Sequence, residues 1–294
     1  MRNKTSPTKT AMNNLTKRLL SGIAYVVVFI GCIVYGQESF CILFAVTTAL
    51  ALNEYNDLII THKLGIVNNT VSIISGVYLF LATYCIAAGV TSPVIFLPYL
   101  LSLLFMLTSE LYMKRPDPIA NWAYSFSGQI YIALPFSLLN LLAFYGNNGI
   151  YTYTVPLAVF IFIWVNDTGA YCFGSLLHKK IPYKLFERIS PNKSWIGFFG
   201  GVAMVLAAAC IHCLVYSSIN SDIRHPLLHW MGFGLVVAVF GTWGDLVESL
   251  LKRKLGIKDS GRFLPGHGGV LDRFDSALLA IPASVIYLYA FHFI

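Results

Sequence analysis

The chain has 294 residues, of which 57% are hydrophobic and only 11% charged, with a mean hydropathy of +0.69 and a formal net charge of +7. A soluble domain carries about 25% charged residues, so this composition excludes an ordinary soluble fold and points to the membrane. It also excludes a nucleic-acid partner, because no soluble basic segment is long enough to hold one.

In chain order, the first 18 residues, MRNKTSPTKTAMNNLTKR, form a polar, basic tail. Nine apolar runs follow, at roughly 19–36, 39–61, 70–91, 93–112, 119–145, 153–174, 195–218, 227–247 and 275–294. Each is near the length that crosses a bilayer as a helix. They are continuously apolar rather than alternating, which argues against a β-barrel. No short-core leader with a small-residue cleavage site opens the chain, so the first run reads as a retained anchor. The expected fold is all-α and polytopic, with about nine transmembrane helices. The tail at 1–18 precedes a single integral-membrane catalytic domain at 19–294, with N-terminal spans to about 145 and a catalytic half at about 153–294.

Basic residues set the orientation. With nine spans and a cytoplasmic N-terminus, 19 of the 20 Lys and Arg residues fall on the cytoplasmic side, and only Arg224 falls outside. The positive face would hold anionic headgroups and attract anionic ligands. The six cysteines lie in or beside the spans and read as small packing residues.

Acidic residues carry the chemistry. Glu54, Asp57, Glu110, Asp167, Asp245, Glu248, Asp272 and Asp275 sit at or within the cytoplasmic ends of spans. Ionisable groups at that depth face a cavity, a partner or a metal, so the expectation is one shared polar cavity. In GTWGDLVESLLKRK, 241–254, Asp245, Glu248, Ser249 and Lys252 share a helix face. The stretch KDSGRFLPGHGGVLDRFDS, 258–276, gathers three aspartates, two arginines, a lysine and a histidine at the lip of the last run. Hard divalent cations take carboxylate oxygens together with substrate phosphates. Glycine-rich turns expose N–H groups to phosphate. Asp245, Asp272 and Asp275 are therefore candidate metal ligands. Pro265-Gly266-His267-Gly268-Gly269, flanked by Lys258, Arg262 and Arg273, is a candidate anion site. Asp167, near the end of the sixth run, and Ser190-Pro-Asn-Lys193-Ser194, before the seventh, add a carboxylate, a lysine and hydroxyls. Helix capping and interface pairing explain any one of these groups; a metal with a polyphosphate, acting on a membrane-resident substrate, explains the combination.

Ser249-x-x-Lys252-Arg253-x4-Lys258-Asp259, followed by Pro265-Gly266-His267-Gly268-Gly269-x-x-Asp272-Arg273-x-Asp275, resembles the signature of the phosphatidate cytidylyltransferases, the CDP-diacylglycerol synthases. Gly244-Asp245-Leu246-x-Glu248-Ser249, Asp167-x-Gly-Ala-Tyr171 and Ser190-Pro-x-Lys193-Ser194 belong to the same pattern. One departure is Ile196, where the family commonly has an acid before the glycine. The resemblance implies that CTP and phosphatidate react to CDP-diacylglycerol and pyrophosphate at the cytoplasmic face of the inner membrane. It implies Mg²⁺, leaves room for a second cation such as K⁺, and implies a homodimer among membrane lipids. It maps the metal aspartates onto Asp245, Asp272 and Asp275. Lys252, Arg253, Lys258 and Arg273 would neutralise phosphates, His267 would hydrogen-bond the leaving group, and Lys193 would approach either phosphate. Three alternatives are a CTP-dependent lipid kinase, a CDP-alcohol phosphotransferase, whose D-G-x2-A-R run is missing, and an ion-coupled transporter.

Overall fold

In a computed structural model, the structure describes residues 22–146, 149–177, 182–219, 227–261 and 268–291. The basic tail, Arg224, Arg262, Gly266 and His267 lie outside the described residues.

The described residues are mostly helical. In order run α1 (Gly22–Tyr35), α2 (Gln37–Thr61), α3 (Asn69–Ala87), a 3₁₀ turn (Pro93–Phe96) leading into α4 (Leu97–Tyr112), α5 (Pro118–Gly128), a π turn (Gln129–Ala133) leading into α6 (Leu134–Ala143), α7 (Thr154–Leu177), α8 (Trp195–Ile219), α9 (Leu227–Leu255) and α10 (Leu271–Ala290). The described part of each of the nine apolar runs falls mainly on helix. Among the described residues, six helical stretches are long and apolar enough to cross a membrane. The other three runs correspond to the shorter α1 and to α2 and α10, whose charged ends dilute their apolar stretches.

Local chemistry sets several boundaries. Asn68 caps α3 by accepting from the Val71 N–H at 3.2 Å, and Asp117 caps α5 by accepting from the Ala120 N–H at 3.0 Å. Pro135 has no N–H to continue the ladder, and the Leu134 N–H reaches back to Gln129 in a π turn. Between α7 and α8 the described residues hold a small antiparallel hairpin, β1 (Lys184–Phe186) with β2 (Ser190–Ser194).

Within the core, Phe29, Phe44, Phe136, Phe160 and Phe274 come from α1, α2, α6, α7 and α10. Their rings meet at centroid distances from 4.8 Å, for Phe29 with Phe160, to 6.5 Å, for Phe44 with Phe274. Such edge and tilted pairs add to the area they bury. This hub joins the first helices to the last. It fixes where the start of α10 lies relative to α2, which the site depends on.

Candidate active site

Close backbone approach builds the site. A Cβ added at Gly244 would meet the Asp275 carbonyl oxygen at 2.5 Å and the Ser276 Cα at 3.0 Å. Only glycine there lets α9 and α10 touch, and the contact sets Asp245 beside Asp275. A Cβ at Gly169 would meet the Gly201 Cα at 3.0 Å, so α7 and α8 are equally close and Asp167 is carried to the hairpin. Small residues at such seams are how apolar helices approach in lipid.

Lys193, on β2, forms an ion pair with Asp245 at 2.6 Å and donates weakly to the Thr242 carbonyl at 3.4 Å. Ser249 donates to Asp245 at 3.1 Å, one turn along α9. Asn166 donates to the Thr242 hydroxyl at 3.1 Å. A cavity of about 280 Å³ opens here, with Asp167, Tyr171, Ser190, Lys193 and Thr242 in its wall. Asp167 is within electrostatic reach of Asp245 and Lys193, and Asp275 is within reach of Asp245 and Asp167. Three carboxylates from three helices thus lie near one another, and the hairpin lysine meets two of them, Asp245 and Asp167.

A second cluster lies beside the first. Lys252 pairs with Glu248 at 2.5 Å and with Asp272 at 2.7 Å. Asp272 also accepts from the N–H groups of Gly269 at 2.8 Å and Ser260 at 2.9 Å. Burial pushes the Asp272 carboxyl up. The Lys252 ammonium and the two backbone donors outweigh that and hold it below the usual carboxylate range, ahead of the apolar run. Gly268 adopts φ +81°, a conformation that favours glycine, just before α10.

Glu54, on α2, carries a role that the sequence did not reveal. It accepts from the N–H groups of Val270 at 2.7 Å and Leu271 at 3.2 Å, and from the Ser260 hydroxyl. It therefore caps α10 from a helix some two hundred residues away. The carboxylate also fills the space beside Gly269, where a Cβ would collide with it.

The expected single cavity for eight acids is corrected. Glu110 is only 8% exposed, pairs with Arg115 at 2.6 Å and accepts from Asn121 at 2.9 Å. Asp57 accepts from Asn53 at 2.9 Å. Glu54 and Asp272 organise the signature turn. Asp167 and Asp245 are the acids beside Lys193, and Asp275 lies within electrostatic reach of both. Arg253 donates to the Ile189 carbonyl at 3.1 Å and ties α9 to the hairpin turn. Lys258, Asp259 and Arg273 are exposed.

Carboxylate oxygens are the donors that Mg²⁺ prefers. The chemistry of Asp245, Asp275 and Asp167 therefore fits a hard cation. Among the described residues, however, no three acids, histidines or cysteines stand close enough to hold one ion as they are. Asp272 already has three donors.

The cytidylyltransferase family matches residues 16–291. The chain is 33% identical over 276 residues to a phosphatidate cytidylyltransferase of Bacillus subtilis, covering 92% of this chain and 96% of that protein. It is 46% identical over 126 residues to a protein of the same name from Staphylococcus haemolyticus, covering 43% of this chain and 45% of the other. Against the Staphylococcus aureus (strain COL) counterpart it is 44% identical over 128 residues, again 43% of this chain and 45% of that one.

Proposed function

The chain belongs to the cytidylyltransferase family, and on that premise we propose that it transfers CMP from CTP to phosphatidate. The products are CDP-diacylglycerol and pyrophosphate. The observation that carries this reading is the Lys193–Asp245 ion pair, which joins the hairpin to α9 at 2.6 Å beside the cavity. It joins two remote parts of the signature, a cation and a carboxylate, at one opening.

The chemistry needs little from the protein beyond placement. A phosphate monoester has a second pKa near about 6 and is largely a dianion at neutral pH, so no general base is required. A phosphatidate oxygen attacks the α-phosphorus of CTP. The bond from that phosphorus to the bridging oxygen breaks, and pyrophosphate leaves with the electron pair. Lys193 and Lys252, each held by carboxylates, neutralise phosphate charge on the substrates. Lys258 and Arg273, exposed at the same end, do the same at the entrance. Gly268 and Gly269 present the turn, and Asp272 and Glu54 hold it in place. Positioning with charge neutralisation is the general route for phosphoryl transfer.

A bound Mg²⁺ would supply charge neutralisation at the CTP phosphates. Asp245 and Asp275 would hold it with Asp167 nearby, and Asp272 would join by releasing Lys252. The distribution of Lys and Arg supports nine spans with a cytoplasmic N-terminus, and on that reading this end of the bundle faces the cytoplasm.

The test is product identity with purified protein, Mg²⁺, CTP and phosphatidate. Pyrophosphate and CMP-bearing lipid are expected. Release of CDP, with phosphate transferred to an added lipid alcohol, would replace this reading with a CTP-dependent lipid kinase.

A further inference from the structure

Away from the polar cavity, a groove of about 460 Å³ runs between α1 and α2 and ends at the first turn of α10. One wall is a single face of α2: Ser39, Ile42, Leu43, Val46, Thr47 and Leu50 recur at helical spacing. The eleven steps from Ser39 to Leu50, at a rise of about 1.5 Å each, make that wall about 16 Å long. The facing wall is Tyr25, Phe29 and Cys32, one face of α1.

The two hydroxyls in the α2 wall do not make the groove polar. Ser39 donates to the Cys32 carbonyl at 2.7 Å, and Thr47 donates to the Leu43 carbonyl at 2.8 Å. Both are spent on backbone. Ile42 and Val46 are 66% and 53% exposed, so the trough is open on the outer side of the bundle. The charged group lining the groove is Arg273, at the end nearest the active site. Its guanidinium forms no ion pair among the described residues, and the Tyr25 ring is within its electrostatic reach. Arg273 stands between Asp272 and Asp275, so groove and site meet at one turn of helix.

An apolar trough closed by one cation fits a ligand with a long hydrocarbon and an anionic head. The geometry points to this groove as the seat of one acyl chain of phosphatidate, lying along α2 with its phosphate drawn to Arg273, and so as a determinant of chain-length preference. This rests on the reaction proposed above. It assigns the apolar part of the substrate, which the polar site cannot recognise.

Val46→Trp fills the middle of the groove from an exposed position and leaves the charged residues in place. The measurement is kcat/KM for dipalmitoyl and for dihexanoyl phosphatidate in mixed micelles. The long-to-short ratio is expected to fall about tenfold in V46W, the scale at which apolar pockets discriminate. Leu100→Trp, on the exposed face of α4, should leave the ratio unchanged. An unaltered ratio in V46W, or an equal fall in L100W, would overturn the assignment. Independently of turnover, phosphatidate carrying a diazirine at the end of one chain should label residues 22–50. Unlabelled phosphatidate should compete and phosphatidylcholine should not. Equal competition by both lipids, or labelling spread over α4, would reduce the groove to ordinary lipid contact. Specific labelling by a protein that transfers no CMP would overturn the reaction and leave the lipid seat standing.

Discussion

Glu110 and Asp245 are both acids on apolar helices, and their surroundings could hardly differ more. Glu110 is buried with one oxygen on Arg115 and the other on Asn121, and Asn121 in turn accepts from the Ile66 N–H at 2.6 Å. Every strong partner is fixed by the fold, so the acid joins α4 to α5. Asp245 meets a lysine and a serine, both on a cavity wall or one turn away, with two further carboxylates within electrostatic reach. Its side chain is still 30% exposed. A buried acid with every partner supplied is structural. A half-exposed acid among like charges, with a movable lysine, is arranged for something that arrives later.

The sharpest way to break this contrast is Asp245→Asn. It removes charge at the centre of the site while keeping shape, so CMP transfer should fall by about a hundredfold or more. Stability should barely move, because a partly exposed ion pair contributes about 0–1 kcal/mol. Radiolabelled CMP incorporation beside a thermal melt in detergent reads both. Full activity in the variant would remove Asp245 from the machinery. Lys252→Met should come next, and it should hurt in both ways. It strands Glu248, 1% exposed, and Asp272 without their shared cation. Breaking a buried pair from one side costs about 3–5 kcal/mol, so the melt should drop as well as turnover. A variant with normal stability would mean that water already serves those carboxylates.

Glu54→Gln should be smaller still. The amide can accept one backbone hydrogen bond but turns its own N–H groups toward other donors. Loss of a cap costs about 0.5–2 kcal/mol. A displaced signature turn should slow kcat by about ten- to a hundredfold with little change in stability beyond the cap. If KM for CTP alone changes and kcat does not, Glu54 reports nucleotide affinity rather than the placement of Asp272 and Asp275.

These effects were unequally legible in the sequence. The described parts of the nine apolar runs fell mainly on helices because a long hydrophobic stretch has few other ways to satisfy its backbone in lipid. The Asp245–Ser249 and Glu248–Lys252 contacts follow from helical spacing alone. Glu54 was recognisable as an acid out of place, but its partners include backbone N–H groups 216 and 217 residues away, which no side-chain pattern marks. That Lys252 and two backbone amides meet Asp272 is equally beyond what spacing can reveal. The hairpin went unseen because KLF and SPNKS are short, polar at the edges and interrupted by Pro191, the composition of a loop.

Glu110→Gln tests the other side of the contrast and should have the smallest effect on turnover. One amide oxygen keeps either Arg115 or Asn121 satisfied, and the new N–H groups face a donor on the other. Leaving a buried donor unmet costs about 1–3 kcal/mol, or roughly 2–4 °C in the melt for each kcal/mol in a chain of this size. CMP transfer per folded molecule should stay at the wild-type value, because no bond of Glu110 reaches the Lys193 cavity or the α10 turn. A collapse of turnover with an unchanged melt would join the two clusters functionally. It would mean that a satisfied acid at this end of the bundle can still belong to the site, and exposure would no longer separate the acids that build the fold from those that use it.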